Sequence, residues 1–332
     1  MTSPEYAHHF SIHNLPYGVA SSPCHPTPQC ATRLDNTIIF LADLQEANFF
    51  SSIPSLPANI FANPTLNPFA SLPKETHADV RRALQSTIQQ NALPPQSTAE
   101  ISTVTMHLPI SIPSFTDFSC SLTHNQNAGR IILNHETLPP AFFHFPIGYT
   151  GRASTIVVSG SPVTRPIGHI YDTLSPPEGN EKKKKVIFAP CRALDYELEL
   201  GVVVGRPLSP GTRLKATDAE EYIFGLVVLN DWSARDIQGL EMIPLGPLNG
   251  KNFATTISPW IVTMDALRPF KVEGPQPRVS LPEHMQDPGK FNYDITVMEA
   301  LGGEERKGET VVGRSNAKKM FWSVRQMCAH LA

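Results

Sequence analysis

No stretch of this 332-residue chain approaches the ~18 consecutive apolar residues that cross a membrane. The start, Met1-Thr2-Ser3-Pro4-Glu5, has neither the basic nor the apolar segment of a secretory signal. A soluble, cytoplasmic protein with no membrane partner is therefore expected. Cysteine is scarce: five residues, at 24, 30, 120, 191 and 328, odd in number and without Cys-x-x-Cys spacing, so buried or incidental thiols are expected rather than a disulfide framework or a thiolate metal site. Excess positive charge is also missing. With 27 Lys and Arg against 30 Asp and Glu the net charge is −3, which leaves no electrostatic footprint for nucleic acid. The single basic block, Lys182 to Lys185, adjoins Glu178 and Glu181 and reads as a solvated loop.

Proline, by contrast, is abundant: 32 residues, about twice the usual ~5%. That argues against an all-helical fold and for many short strands joined by rigid loops. A hydrophobic share of 41% is enough for a sizeable core. Residues 14 to 45 read as a small β unit, with its clearest strand over 37–41. A helix follows, with Thr76 as cap, Asp79 as capping-box partner, Val80, Leu84 and Ile88 at helical spacing, and Pro94-Pro95 as stop. Further strands are expected over 156–159, 194–204, 224–230 and 293–297. Thr217 with Glu220 is expected to cap a short helix. Ser315 is expected to open a last helix, with Met320, Val324, Met327, Cys328 and Leu331 on one apolar face.

The chemistry concentrates in the run Asn230-Asp231-Trp232-Ser233-Ala234-Arg235-Asp236-Ile237-Gln238, followed by Pro244-Leu245-Gly246-Pro247 and Gly250-Lys251. It sets a carboxylate, a guanidinium, an amide and an ammonium on one strand-to-helix corner. Upstream, Asp195-Tyr196-Glu197-Leu198-Glu199 alternates acid with other residues, so at a strand's period of two the three carboxylates face one side. Such a row repels itself unless a cation neutralises it. A hard divalent ion, Mg²⁺ or Ca²⁺, takes oxygen ligands from several carboxylates, with Asp231 as a further ligand from a neighbouring strand. The plainer readings are an exposed acidic strand face and an ordinary salt bridge from Arg235 to Asp236 or Glu241.

These segments, with Asn14-Leu15-Pro16-Tyr17-Gly18-Val19, Thr105-Met106-His107-Leu108-Pro109, Thr116-Asp117-Phe118, Gly148-Tyr149-Thr150-Gly151-Arg152, Thr255-Thr256-Ile257-Ser258-Pro259-Trp260 and Arg314-Ser315-Asn316, resemble the fumarylacetoacetase family in consistent order along the chain. The resemblance implies an α+β, mostly β protein: a small SH3-like barrel and connecting helix over 1–115, then a mixed β-roll over 116–332. It implies hydrolysis of a carbon–carbon bond in a 1,3-diketo acid, the reaction of tyrosine and phenylalanine catabolism, by a homodimer. The implied metal ligands are Asp117, Glu197, Glu199 and Asp231, with Lys251 and Thr255 beside the ion. The implied base is His124, seven residues beyond Asp117 in what reads as a loop. Arg235, Gln238 and Lys251 are the implied charge-stabilising group, and Tyr149 and Gln238 touch substrate. For Tyr149 the plainer alternative is a core tyrosine.

Three positions depart from the family pattern. Ser119 and Met242 stand where tyrosines are expected, and Leu133 stands for an arginine, with Arg130 displaced. All three family residues grip substrate carboxylates, so a less anionic diketo or 2-oxo acid in a specialised biosynthetic pathway is one alternative. The resemblance also implies further β-roll strands, a Gly-rich substrate segment and a glutamate partner for His124 beyond Ala332, which leaves the β-roll incomplete. A non-catalytic, metal-binding partner of a full-length relative is therefore the second alternative.

Overall fold

A computed structural model describes residues 4–133, 136–174, 185–289, 291–303 and 306–332. Lys182 to Lys184, most of the expected basic loop, lie outside the described residues, as does the side chain of Leu133. Mixed α/β structure dominated by short strands emerges, as the proline content requires. The N-terminal sheet is antiparallel throughout. Its five strands run in the order Thr98–Glu100, Thr37–Phe40, Gln29–Leu34, Tyr17–Ser21, Thr105–His107. Ile38, Ile39 and Phe40 are fully buried, because this strand is covered on both faces.

A second five-stranded sheet carries the chemistry. Leu198–Val204 pairs antiparallel with Ile223–Asp231, which pairs with Thr255–Ile257, which runs parallel to Ile156–Val158; Val262–Thr263 also pairs with Ile223–Asp231. The two sheets are locked together. Tyr17 and Ile261 exchange backbone hydrogen bonds of 3.0 and 2.8 Å, and a side chain at the intervening Gly18 would sit 2.7 Å from the Pro259 carbonyl. Behind this contact Tyr17, Phe69, His77 and Phe224 form an edge-on aromatic cluster, with Phe69 to Phe224 at 5.7 Å and His77 to Phe224 at 5.0 Å. One apolar core thus runs from the N-terminal sheet through Phe224, Val227 and Ile257 of the second. A long hairpin, Thr296–Gly303 with Arg306–Asn316, follows, and then the closing helix Val324–Leu331.

Several helix starts differ from the sequence expectation. The helix over Lys74–Gln89 begins after Pro73, so Thr76 lies inside it, where its hydroxyl meets Ser55 at 2.8 Å. Its end is set by Asn91 in the left-handed region (φ 51°), before the prolines are reached. Thr217 likewise sits within the 3-10 segment Ala216–Tyr222. Ser315 is in the hairpin strand, paired with Val297. The closing helix is opened by Ser323 through a full capping box with Gln326. Val324 and Cys328 of the expected apolar face are buried, but Leu331 is 57% exposed. The hairpin consumes the residues that the capping pattern had assigned to a helix.

Because Phe224 joins both sheets, Phe224→Ala is expected to destabilise the whole chain by ~3–5 kcal/mol. Urea unfolding checks this. A loss below ~1 kcal/mol would mean the aromatic cluster does not couple the sheets.

Candidate active site

Strand register builds the acidic centre. Glu197 and Asp231 exchange backbone hydrogen bonds of 3.1 and 3.0 Å, so their side chains project side by side from one face. Glu199, two residues on, shares that face, and Thr255 is the partner of Asp231 on the next strand. Asp117 arrives from a separate ribbon, Thr116–Phe118 with Gly148–Thr150, where it sits opposite Tyr149. The result is a group of three carboxylates, Asp117, Glu199 and Asp231, each with one oxygen within 4.8 Å of the others. An oxygen-only set this dense is one that a divalent metal ion fits.

Electrostatics divides the carboxylates into two kinds. Burial pushes Glu199 well above the usual carboxylate range, and the neighbouring charges of Asp117, Asp231 and Glu197 add to it. Burial also raises Asp117, with partial relief from Lys251 and Tyr149. Asp231 is pushed up to about 6, again by burial, and Lys251 only partly offsets this. Glu197 behaves oppositely. Burial acts on it too, but the cations win and its pKa is lowered. Lys251 Nζ is 2.5 Å from Glu197 Oε2 and 2.6 Å from Asp231 Oδ2, and the Arg235 guanidinium is 2.9 Å from Glu197 Oε1. Those carboxylates hold the Lys251 pKa up against its own burial. Of the four expected ligands, then, three converge, while Glu197 is engaged by two cations. Asp195 lies on the same side but pairs with Arg235 at 2.8 Å at the rim.

The remaining expected residues line the same cleft. At about 1720 Å³ the cleft is larger than the ~300–1,000 Å³ of ordinary ligand sites, so its acidic end carries the chemical specificity. Thr255 is buried at its base. Burial raises the Tyr149 pKa, as do its hydroxyl's hydrogen bond to Asp117 and the nearby Asp231 carboxylate at 3.5 Å, contacts that both a substrate-facing tyrosine and a core tyrosine capped by hydrogen bonds would make. Gln238 is buried and accepts from Arg235 at 3.3 Å. Arg235 thus serves Asp195, Glu197 and Gln238, and neither of the expected partners Asp236 and Glu241. His124 lines the cleft from the first turn of the helix Leu122–Leu133, not from a loop. Among the described residues no carboxylate lies within 4 Å of its ring.

Of the departing positions, Ser119 and Met242 also line the cleft. Arg130 is turned away into a pair with Glu136 at 2.6 Å. Sequence reasoning missed the work of Glu241. The short helix Asn249–Asn252, which carries Lys251, is preceded by Leu248, a residue with no side-chain acceptor. Glu241 Oε1 supplies one, accepting from the Leu248 and Gly250 N–H groups at 2.9 and 2.7 Å. Gly250 is required there, since a Cβ would lie 2.6 Å from the Gln238 nitrogen. The signal available in sequence was a lone acid ten residues before a lysine, too common to single out.

Comparison with known proteins identifies the family. Residues 13–109 match the family model described as fumarylacetoacetase N-terminal, and residues 114–332 that described as fumarylacetoacetate (FAA) hydrolase C-terminal. The chain belongs to the fumarylacetoacetase family. It is 39% identical to a fumarylacetoacetase of Aspergillus fumigatus over 97% of this chain and 77% of that protein. With a fumarylacetoacetase of Arabidopsis thaliana it shares 37% identity over the same fractions. The solved structure of a fumarylacetoacetate hydrolase from Exiguobacterium antarcticum superposes with a TM-score of 0.50 at 14% identity, covering 96% of this chain and 80% of that one, which speaks to the fold alone. No helix among the described residues is long and apolar enough to cross a membrane.

The burial of carboxylate charge in this fumarylacetoacetase-family site has a measurable sign. The pKa of Asp231 in the folded chain, about 6, lies above its unfolded value near 3.8. Its charge therefore opposes folding above pH 6, and the penalty fades as pH falls toward 4. In EDTA, Asp231→Asn is expected to gain on the parent by up to ~3 kcal/mol at pH 7 relative to pH 4. Urea titrations of both proteins across that range check it. A pH-independent difference would mean that burial does not disfavour the Asp231 charge.

Proposed function

We propose that this chain hydrolyses fumarylacetoacetate to fumarate and acetoacetate, as the names of its relatives indicate for them. One observation carries the reading: Asp117, Glu199, Asp231, Lys251, Arg235 and His124 line a single cleft, in a chain 37–39% identical to fumarylacetoacetases over 97% of its length. Asp117, Glu199 and Asp231 would hold Mg²⁺ or Ca²⁺, hard ions suited to an all-oxygen set. Such an ion supplies Lewis-acid polarisation of the diketone oxygens.

The chain's own residues do the rest. His124, exposed to the cleft, takes a proton from water, which adds to one carbonyl carbon. The carbon–carbon bond then breaks, its electron pair leaves as the enolate of acetoacetate, and that enolate takes up the proton that water gave to His124, which restores the neutral imidazole. Lys251, kept charged by Glu197 and Asp231, and Arg235, kept charged by Asp195 and Glu197, face the growing negative charge. Gln238 and Tyr149 orient the substrate from either side. Residues 1–115 form an SH3-like barrel unit and 116–332 the catalytic β-roll unit, a division supported by the two family matches. A homodimer is supported by the apolar outer face of the ribbon Ile167–Tyr171 with Val186–Pro190, where Ile167 and Phe188 are 58% and 68% exposed.

A second reading keeps the chemistry but changes the substrate. Ser119 is tied to Asn125, Met242 offers only an apolar surface, and Arg130 is paired elsewhere, so charged grips for substrate carboxylates are fewer than the family pattern provides. A less anionic diketo acid fits those walls. Each lost charge-assisted hydrogen bond costs ~1.5–3 kcal/mol.

Two measurements test these readings. In calorimetry with Mg²⁺ or Ca²⁺, Asp117→Asn, Glu199→Gln and Asp231→Asn are expected to abolish ion binding, whereas Glu197→Gln weakens it by only ~10–100-fold, as an outer partner does. Equal losses for all four would make Glu197 a ligand. Loss of diketone absorbance with fumarylacetoacetate and a less charged 1,3-diketone, side by side, then separates the substrates. Faster turnover of the second favours the altered-substrate reading, and no turnover of either with the ion bound would leave a non-catalytic member of the family.

A further inference from the structure

His124 is placed by its backbone, since no carboxylate among the described residues reaches its ring. What fixes that backbone is a clasp made by the next residue. The Asn125 amide nitrogen donates to the Ser121 carbonyl at 2.8 Å and to the Ser119 carbonyl at 3.3 Å. The Asn125 amide oxygen accepts from the Ser119 hydroxyl at 3.1 Å. Ser121 adds a helix cap of its own, its hydroxyl accepting from the His124 N–H at 3.2 Å. The clasped turn is itself anchored on both sides: the Ser119 N–H donates to Ile147, and the Phe321 N–H donates to Cys120. Ser119 lies two residues beyond Asp117 on the same run of chain. Three side-chain hydrogen bonds from one amide therefore tie the helical turn bearing His124 to the segment bearing Asp117.

We propose that Asn125 is a positioning residue: through Ser119 and Ser121 it sets the distance between the His124 imidazole and the acidic centre. This rests on the reading of His124 as the base in hydrolysis. The clasp fixes where the imidazole sits but not which ring nitrogen carries the proton. It also gives Ser119 a role other than contacting substrate, because its hydroxyl is spent on Asn125. Asn125 has the right chemistry for this and Asp does not. Two of the three bonds need an N–H donor, and a carboxylate would face two carbonyl oxygens.

That difference supplies the test. Asn125→Asp loses both donor bonds but places a negative charge in the first turn of a helix, where the helix dipole offsets part of the loss, so the variant is expected to stay folded, which its melting temperature checks. Displacement of a reacting group by about 1 Å costs on the order of 100-fold in rate, so kcat on fumarylacetoacetate is expected to fall by that order with KM changed less than about two-fold. Asn125→Ala is expected to lose as much, and Ser119→Ala, which breaks one bond of three, less. In parallel, the His124 ring resonance in histidine-labelled protein, identified by its loss in His124→Ala, is expected to shift and broaden in Asn125→Asp with no substrate present. Parent-like kcat and an unmoved His124 resonance in Asn125→Asp, with His124→Ala inactive, would overturn the proposal and leave the base assignment standing. If His124→Ala keeps full activity, it is the base assignment that falls, and the resonance alone then decides whether Asn125 positions the ring.

Discussion

Three carboxylates, Asp231 buried and Asp117 and Glu199 half-buried, each bring one oxygen within 4.8 Å of the others, and much of the surrounding structure answers to that crowding. Like charges at that range are tolerated only when countered or when they take up protons. Both responses are present. Lys251 and Arg235 neutralise Glu197 and part of Asp231, while Glu199, farthest from relief, is driven strongly toward its protonated form. The supporting contacts serve this charge balance. Pairing of Glu197 with Asp231 fixes two carboxylates, the ribbon through Tyr149 fixes a third, and Glu241 caps the short helix that brings Lys251 to them.

Positive charge is therefore supplied in two grades. Lys251 and Arg235 are permanent parts of the chain and satisfy one side of the cluster. On the other side Asp117 and Glu199 complete, with Asp231, an all-oxygen set of the kind a hard divalent ion fits.

The alternation of Asp195, Glu197 and Glu199 was legible in the sequence because strand periodicity is strict, and so was the shared site of Asp231, Arg235, Gln238 and Lys251. The distinct fates of the three alternating acids were not. Which acid meets a lysine depends on a loop closed by Glu241 and on a glycine contact at Gln238, neither of which local patterning encodes. Helix starts failed for a related reason. Ser315 and Thr76 have capping chemistry, but the hairpin and Pro73 decide where those helices begin. His124 looked like a loop residue because the helix that carries it follows a tight turn stabilised by Ser119, Ser121 and Asn125, polar residues that also mark loops.

A divalent cation that binds the acidic cluster must displace protons from carboxylates whose pKa burial has raised. Calorimetry of Mg²⁺ or Ca²⁺ binding near pH 6, repeated in buffers of different ionisation enthalpy, counts the protons released as the ion enters. The account predicts net proton release on binding, lost together with ion binding in Asp231→Asn. Ion binding with no proton release, or no binding at all, would contradict it.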